Sequence, residues 1–595
     1  ERRCGKGGAA MAEAAGVFED GVFRKGDVRL SDRAGNKILP IGNDRFASVA
    51  ETSVFIDKTM LIADVLDKGP AVTLFCRPRR FGKSLNLSML QRFFEIPVGV
   101  DEGKSYADLF EGLAIWDARD GHYRAHQGAY PVVRFTLNNL KSVSYPDFIS
   151  WFSDAVAEEC NRHDYLLESD RLSEFDKDAF GQLASGRAEI GQLGRSLLRL
   201  TILLQQHYGQ SVVVLIDEYD APVMAAHESG CYDEVVSFLK RWLTGALKSN
   251  DALAFAVLTG VQRISKESIF SDLNNLQVDT PLNVASDERF GFTQAEVEAL
   301  AEYVGSASSV SQAREWYDGY RFGDVDVYNP WSVLNYFGNG CAPDVYWGNT
   351  SSNSVLGGLV SGADDKMLKR LYALAEPDGA VRAPLDTRVV FSDLAVAPQA
   401  VWSMLYLAGY LTTDDTALPG DVDRLRPLRI PNREVAKLYA SEITGRFAQV
   451  AGGRDALDDL HRALVSGDAV AFAEELESVL LNCASFHDLV SENSYHMLMM
   501  GLLFNVPGYS APVSNREAGR GRFDVQLTPA DPARNPLITF ELKHAEQPTD
   551  LELVARQALA QIDERAYDAA AEAAGSIRYG IAFAGKSAAV ACEVV

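Results

Sequence analysis

The chain has 595 residues, a formal net charge of −25 and 47% hydrophobic residues. Its length predicts roughly two to four domains, and its composition is that of a globular protein with large cores. Non-specific binding of nucleic acid depends mostly on phosphate neutralisation by Lys and Arg, so in this acidic chain any such binding must be local.

The sequence has no feature of a membrane or secretory protein. No run approaches the roughly 20 apolar residues of a membrane helix, and the N-terminal residues lack the apolar core of a signal peptide. The seven cysteines are scattered without a Cys-x-x-Cys pair, which argues against a zinc site and for a reducing compartment. We therefore expect a cytoplasmic protein that does not bind membranes.

Residues 1–36 read as a poorly ordered tail, and the pattern sharpens from Leu39. Phe55 to Thr59 predicts a short strand that leads into a helix. Within it, Asp57 and Thr59 are interpreted as helix-capping residues in preference to nucleotide contacts.

A P-loop is predicted next. Ala71 to Cys76 is an apolar run typical of a buried strand, and apolar residues repeat at helical spacing from Leu85 to Phe93. The basic loop Arg77 to Ser84, which joins them, ends in Gly-Lys-Ser. Backbone N–H groups at such a helix start bind anions. Lys83 would reach the β- and γ-phosphates of ATP, and the Ser84 hydroxyl would hold Mg²⁺.

The residues expected to bind ATP are Arg79, Arg80, Phe81, Gly82, Lys83, Ser84 and Leu85. One position departs from the usual motif, because Arg77 stands where the first glycine of a P-loop is expected. Glycine turns there without steric cost. The alternative interpretation is therefore a basic loop before an ordinary helix.

Three further strands are predicted for the same sheet. They are Tyr130 to Phe135, Val212 to Ile216 and Ala254 to Leu258. The continuous apolar run of the second of these is typical of a strand covered on both faces. The helical stretch from Tyr145 to His207 is large for one crossover, so we expect an inserted helical hairpin.

Acidic residues follow the strand that ends at Ile216. Asp217 would hold Mg²⁺, and Glu218 would orient or deprotonate the attacking water, at the sheet edge where ligands bind in open α/β sheets. After the last strand, three polar residues are candidates for sensing the γ-phosphate, with ordinary loop chemistry as the alternative: Thr259, Gln262 and Arg263.

From about Asp279 to Ser466 the sequence predicts a mainly helical connector, with Thr293 as a helix cap. The aromatic cluster Trp316 to Phe322 is interpreted as packing at a turn in preference to base stacking. A strand that ends at Pro431 and a new helix after it suggest a winged-helix-like lid over the nucleotide.

The C-terminal part changes to a compact α/β pattern. The helix Leu489 to Phe504 is almost wholly apolar yet contains Glu492, and a buried carboxylate is costly unless it is paired or binds metal. Asp524 precedes a strand that ends in Glu541 and, two residues on, Lys543. Alternation along a strand puts these last two side chains on one face.

These residues suit metal-dependent phosphodiester hydrolysis. Asp524 and Glu541 would hold Mg²⁺, or alternatively Mn²⁺, through hard oxygen ligands. Glu492 would complete the carboxylate set or serve a second metal. Lys543 would position the attacking water and stabilise developing charge. The alternative is a degenerate nuclease fold that is kept for its structure.

Several segments together resemble one family: LPIG from Leu39, FIDKT from Phe55, RPRRFGKS from Arg77, LIDEYD from Leu215 and WYDGYRF from Trp316. It is the family of bacterial AAA-ATPase-like proteins with a C-terminal PD-(D/E)XK nuclease-superfamily domain. The resemblance covers nearly the whole chain from about Leu39. It implies that Arg77 is a family trait and that Gln561 is the glutamine that faces the nuclease site.

We therefore predict an α/β protein with four parts: a tail (1–36), a P-loop, ASCE/AAA-like parallel-sheet ATPase domain (37–285), a helical connector (286–466) and a restriction-endonuclease-like domain (467–595). The leading function is a nuclease gated by ATP through an assembly, such as a homo-oligomer, or through a lid movement, with DNA favoured over RNA. The alternatives are a nucleotide-switched regulatory or interaction protein with a non-cleaving nuclease fold, and an ATPase with a structural C-terminal domain.

Overall fold

The computed structural model describes residues 15–67, 71–138, 140, 144–263, 275–348, 354–376, 378–388, 400–482, 492–545, 547–567 and 573–595. Contacts divide the chain into two compact units. The first comprises Glu1–Trp347 and Arg382–Asn432, and the second comprises Gly348–Val381 and Arg433–Val595. The domain boundaries expected at residues 286 and 467 stay a prediction.

Between residues 17 and 279, the described part of the chain contains both strands and helices. The strands are β1 (Val17–Glu19), β2 (Val22–Lys25), β3 (Val28–Ser31), β4 (Phe55–Ile56), β5 (Val72–Cys76), β6 (Val132–Thr136), β7 (Val212–Asp217), β8 (Leu253–Gly260) and β9 (Leu276–Asp279). The helices are α1 (Phe46–Thr52), α2 (Met60–Asp67), α3 (Lys83–Phe94), α4 (Ala114–Asp117), α5 (Tyr145–Arg162), α6 (Glu174–Ala184), α7 (Ile190–Leu193), α8 (Ser196–Tyr208), α9 (Ala221–Ser229) and α10 (Tyr232–Leu247).

The following part is mainly helical, as expected. Its helices are α11 (Gln294–Val304), α12 (Val310–Tyr317), α13 (Pro330–Gly338), α14 (Ser354–Gly362), α15 (Asp365–Ala375), α16 (Ala400–Ala408), α17 (Arg433–Ala451), α18 (Arg454–Ser466) and α19 (Ala469–Asn482). Its strands are β10 (Tyr320–Phe322), β11 (Val325–Val327), β12 (Ala380–Pro384) and β13 (Leu425–Arg429), which pair as β10 with β11 and β12 with β13.

The C-terminal part contains two helices and a sheet. The helices are α20 (Glu492–Leu502) and α21 (Leu551–Arg565). The strands are β14 (Val513–Ser514), β15 (Glu517–Ala518), β16 (Gly521–Arg522), β17 (Val525–Leu527), β18 (Leu537–His544), β19 (Ser576–Ala584) and β20 (Ser587–Val594).

The central sheet of the first unit is parallel, which confirms the predicted fold class. Its strand order is β6-β7-β8-β5-β9, and every pairing is parallel. All residues of β5 and β7 are buried, as expected for strands covered on both faces. Since β8 lies between β5 and β7, its C-terminal end separates the P-loop from the acidic strand.

The crossover between β6 and β7 contains the expected helical insertion, α5 to α8. Aromatic side chains pack this insertion against α10. Phe152 meets Phe238 and Trp242 edge-on, with ring centroids 4.8 and 5.0 Å apart, and Trp242 meets Phe135 of the sheet at 5.1 Å. Such edge-to-face pairs stabilise beyond simple burial of area.

The expectation of a poorly ordered tail is wrong for residues 17–31. They form β1 to β3, which continue with β4 as an antiparallel sheet. Phe23 and Leu30 are buried in a core cluster that also contains Tyr303 of α11. These strands could not be predicted from the sequence because they are short and contain charged residues, and because the side chains that bury them, such as Tyr303, lie far along the chain. Residues 1–14 lie outside the described part.

Side chains of the FIDKT segment hold neighbouring helices. Asp57 accepts hydrogen bonds from the Thr59 N–H and hydroxyl and, through its other oxygen, from the Ala114 N–H that begins α4. The pair therefore contacts the N-terminus of α4, since Thr59 accepts the Ile115 N–H at 3.2 Å, and its predicted capping of the helix that follows it, α2, stays a prediction. Thr293 caps α11 in a reciprocal box with Glu296, as predicted.

The second unit is built around a mixed sheet of order β14-β17-β18-β19-β20. Strand β18 runs parallel to β19 and antiparallel to β17. Helix α21 crosses at Gly580, where a Cβ would lie 2.2 Å from the Ala555 carbonyl oxygen. The stretch 348–381 packs into this unit, since Tyr372 donates to the Met497 carbonyl at 3.2 Å. Of the helices described, none has both the length and the apolar character needed to cross a membrane.

Candidate functional site

The strand, basic loop and helix expected of a P-loop are present. Helix α3 begins at Lys83, directly after Gly82, whose φ of 78° lies in the left-handed region. Arg80 also has a positive φ, of 67°, which costs a non-glycine residue about 1–2 kcal/mol. Ser84 and Leu85 follow in the first turn of α3, half-buried.

The side chain of Lys83, the expected phosphate-binding residue, folds back into the P-loop. Its side chain is buried, and Nζ donates to the carbonyl oxygens of Arg77 and Pro78 at 3.0 and 2.8 Å. Burial lowers the pKa of Lys83, and Glu218 is the strongest of the carboxylates that counteract this. Among the described residues, both acceptors at hydrogen-bond distance from the ammonium are neutral carbonyls, which phosphate oxygens can replace favourably.

Arg77 has a structural role that explains the missing first glycine. Its fully buried guanidinium donates to the Asp279 carboxylate at 2.9 Å and to the Asp279 carbonyl at 3.0 Å. It also lies over the rings of Phe290 and Phe322, 5.0 and 5.3 Å from their centroids. The arginine thus fastens the start of the P-loop to the end of β9.

The aromatic cluster packs against the P-loop, in agreement with the packing interpretation. The Phe81 ring lies 5.0 Å from Tyr320 and 5.1 Å from Phe322. The guanidinium of Arg80 lies 4.3 Å from the Trp331 ring centroid. These contacts support a loop whose sequence contains a single glycine.

The acidic strand ends beside Thr259. The Thr259 hydroxyl donates a short hydrogen bond to the buried Asp217 carboxylate and accepts one from the Glu218 N–H at 3.3 Å. Glu218 adopts a left-handed φ of 50°. Strained backbone of this kind clusters at functional sites, where the surrounding structure holds it in place.

Glu218 is electrostatically coupled to the P-loop. Burial raises its pKa, Lys83 opposes this most strongly, and Asp217 adds to the rise. A carboxylate with a raised pKa near a cation is suited to accept a proton at neutral pH. The structure therefore brings Lys83, Asp217, Glu218 and Thr259 to one edge of the sheet.

Asp220 was not singled out from the sequence, although it completes the run Asp-Glu-Tyr-Asp. Its buried carboxylate accepts the N–H groups of Val261 and Gln262 at 2.8 and 2.9 Å. Gln262 thus contributes its backbone to this loop. Arg263 is the last residue described before the gap at 264–274.

The nuclease-like residues converge in the second unit. Val525 pairs with Phe540, so Asp524 lies beside Glu541 on adjacent strands. One Asp524 oxygen accepts the Leu542 N–H at 2.7 Å. Two carboxylates at this spacing provide the oxygen ligands that Mg²⁺ or Mn²⁺ prefers, so the residues present fit a divalent cation.

Glu541 is 2% exposed, and its hydrogen-bond donors include an ammonium and a side-chain amide. Its Oε1 accepts from Lys543 Nζ at 2.8 Å and, at closer range, from the Gln561 amide. The placement of Gln561 at the site agrees with the expectation from resemblance. Tyr567, whose hydroxyl lies 3.4 Å from Gln561 Nε2, joins the site without having been assigned a role from the sequence.

Helix α20 begins at Glu492, but the side chain of Glu492 lies outside the described residues. On the same helix, His496 Nε2 donates to the Asp524 carbonyl oxygen at 3.1 Å. Within the described part of the chain, no three acidic, His or Cys side chains form a ready metal cluster. The predicted metal role of Glu492 therefore stays a prediction.

Geometry and sequence comparison agree on the class of each unit. Residues 40–270 match the family model described as a predicted AAA-ATPase, and residues 490–593 match that of the PD-(D/E)XK nuclease superfamily. The chain thus contains an AAA-ATPase-like domain and a C-terminal nuclease-superfamily domain. It is also similar to an "Uncharacterized protein in vnfD 5'region" of Azotobacter chroococcum mcd 1, with 28% identity over 411 residues that cover 67% of this chain and 68% of that protein.

The Arg77–Asp279 pair yields a stability prediction. Arg77→Gly restores the usual first glycine yet leaves the Asp279 carboxylate buried and unpaired, so we expect a loss of about 3–5 kcal/mol in the free energy of unfolding. Urea denaturation followed by tryptophan fluorescence measures it. The double variant Arg77→Gly/Asp279→Asn should recover part of the loss. A single variant as stable as the parent would contradict the assignment.

Proposed function

We propose that this protein hydrolyses ATP at the P-loop and uses the nucleotide to control a metal-dependent nuclease in its C-terminal unit. The observation that carries the proposal is the meeting of Lys83, Asp217, Glu218 and Thr259 at one sheet edge. We further propose a cytoplasmic protein that acts on DNA in preference to RNA, with gating through a homo-oligomer or a lid movement.

Each residue of the ATP site has a chemical role that its surroundings support. Lys83 and the N–H groups from Arg79 to Leu85 bind the phosphates. Ser84 and Asp217 would hold Mg²⁺, which supplies positive charge against the phosphate oxygens. Glu218 orients the attacking water or accepts its proton, and Thr259 fixes Asp217 and the Glu218 backbone.

The nuclease site works through carboxylates and one lysine. Asp524 and Glu541 would hold the divalent cation, with Glu492 as a further ligand, and the cation supplies Lewis-acid charge at the scissile phosphate. Lys543, held at Glu541, places a positive charge next to the reacting phosphate and water. Gln561 orients the Glu541 carboxylate.

A second candidate function is a nucleotide-switched protein whose nuclease fold binds a partner without cutting. One observation favours it, because the Glu541 carboxylate is already neutralised by Lys543 and hydrogen-bonded by Gln561. In that case the second unit would bind nucleic acid or protein while ATP turns over slowly.

The two P-loop roles can be separated by substitution. Lys83→Ala should abolish ATP hydrolysis by removing the phosphate-binding charge. Glu218→Gln should keep ATP binding and slow hydrolysis by about 100-fold or more, because only the base is lost. Phosphate release and nucleotide-binding calorimetry measure both. Lys104→Ala, at an exposed lysine of the same unit, is the matched control. If Lys83→Ala hydrolyses ATP at the parental rate, the assigned ATP site is wrong.

The raised pKa of Glu218 predicts a pH dependence. The ionised carboxylate is the active base, so kcat/KM for ATP hydrolysis should fall as the pH drops through the raised pKa. That decline should lie above the ordinary glutamate pKa of about 4.3. A pH profile of kcat/KM measures it. The residual activity of Glu218→Gln should lack this decline, and its persistence there would assign it to another group.

The nuclease prediction separates the two units. Asp524→Ala and Lys543→Ala should each abolish Mg²⁺-dependent cleavage while ATP hydrolysis continues. Single-stranded DNA, double-stranded DNA and RNA are incubated with Mg²⁺ or Mn²⁺, with and without ATP. Glu541→Ala reveals contaminating nuclease, and Asp531→Ala, at an exposed carboxylate of the same unit, is the matched control. Cleavage that survives in both site variants would exclude this site, and its absence from the parent would favour the non-cleaving candidate.

A further inference from the structure

A cavity of about 490 Å³ lies beside helix α3 in the first unit, and four arginines line it: Arg45, Arg92, Arg134 and Arg162. Its other walls are formed by α1, by the middle of α3 and by α5. The lining is polar almost throughout, and it includes Ser88 and Gln91 of α3. Such a concentration of guanidinium groups is unexpected in a chain with a net charge of −25.

Two of these arginines are neutralised by neighbouring acids. Arg162 binds Glu159 at 2.7 Å and, at closer range, Glu95. Arg92 lies 3.7 Å from Glu95 and 3.6 Å from Asp101. These pairs engage two buried carboxylates, Glu95 and Glu159. Glu159 lines the cavity, as does the exposed Glu51.

Arg134 and Arg45 differ, because no described carboxylate lies within ion-pair distance of either guanidinium. Arg134 donates to the neutral Gln91 side chain at 2.7 Å, and its backbone N–H donates to the already paired Glu159. Within the described part of the chain, neither Arg134 nor Arg45 forms an ion pair. Burial lowers the pKa of Arg134, and the nearby charges of Asp217 and Asp44 offset this only in part. A guanidinium desolvated in this way gains from an anionic ligand.

The cavity is separate from the P-loop, although both use α3. Ser88 and Gln91 follow Ser84 by about one and two turns, or roughly 6 and 11 Å along the axis. Thr136 pairs with Asp217, and Arg134 stands two residues before Thr136. By strand alternation, Arg134 therefore projects from the same sheet face as Asp217.

We propose that this cavity binds a small phosphate-bearing anion at Arg134 and Arg45. Among the described lining residues, none has an aromatic ring on which a base could stack, and Ala47 is the one apolar residue. This favours a compact, hydrophilic ligand, namely a polyphosphate or a sugar phosphate. The proposal goes beyond the ATPase assignment and does not require it.

The test measures binding of inorganic pyrophosphate to the full chain that carries Lys83→Ala, which removes the P-loop contribution. Calorimetry at constant ionic strength should detect binding to this protein. Adding Arg134→Gln should weaken it at least about tenfold, the loss expected for a charged hydrogen bond. Adding Arg45→Gln should also weaken it. Arg187→Gln, an exposed arginine between α6 and α7, removes the same charge elsewhere and should leave binding unchanged.

The outcomes separate this proposal from the ATPase assignment. If the parent protein binds pyrophosphate and the single variant Lys83→Ala does not, the anion binds at the P-loop and the cavity proposal is overturned. Unchanged binding after Arg134→Gln would also overturn it. If circular dichroism shows that Arg134→Gln is unfolded, the exposed Arg45→Gln decides the question. Ribose 5-phosphate distinguishes a sugar-phosphate site from a polyphosphate site, and Arg134-dependent binding of a single-stranded oligonucleotide without pyrophosphate binding would exclude the small-anion site.

Discussion

The hydroxyl of Thr259 donates to Asp217 and accepts from the Glu218 backbone, and the next carbonyl, that of Gly260, accepts the Arg77 N–H at 3.0 Å. One strand end therefore positions both the P-loop and the acidic strand. A Cβ on Gly260 would lie 2.7 Å from the Tyr219 ring, so the packing of this side chain against the end of β8 requires glycine. The rest of the proposed ATP site follows from this junction, because β8 lies between the two strands.

Charges of both signs lie close together at this junction. Lys83 lies among Glu218, Asp220 and Asp217, and its nearest hydrogen-bond acceptors are loop carbonyls. Buried charges need partners, and the Lys83 ammonium could exchange the loop carbonyls for other acceptors, such as phosphate oxygens. A nucleotide with its cation would bring both signs of charge into the site together.

Short motifs with a fixed order could be predicted from sequence. Each of these motifs combines an apolar run with specific polar residues next to it. They are the P-loop, the acidic strand, and the strands that carry Asp524 and Glu541. The partner of Arg77 could not be predicted, because Asp279 lies 202 residues away and carries no local signal. The strands at residues 17–31 were missed for a related reason, since their burial depends on Tyr303 and its neighbours. Gln561 was placed only through family resemblance, and the side chain of Glu492 lies outside the described residues.

The path of the chain affects how the two units can be separated. The segment 348–381 leaves the first unit, contributes α14 and α15 to the second, and returns. Arg446 of α17 donates to the Ala363 carbonyl at 3.1 Å, so this segment depends on residues far downstream. A stop codon after Asn432 would leave helices α14 and α15 without the part of the second unit that covers them. An ATPase fragment should instead replace residues 348–381 with a short linker, and the isolated second unit needs that segment joined to residue 433.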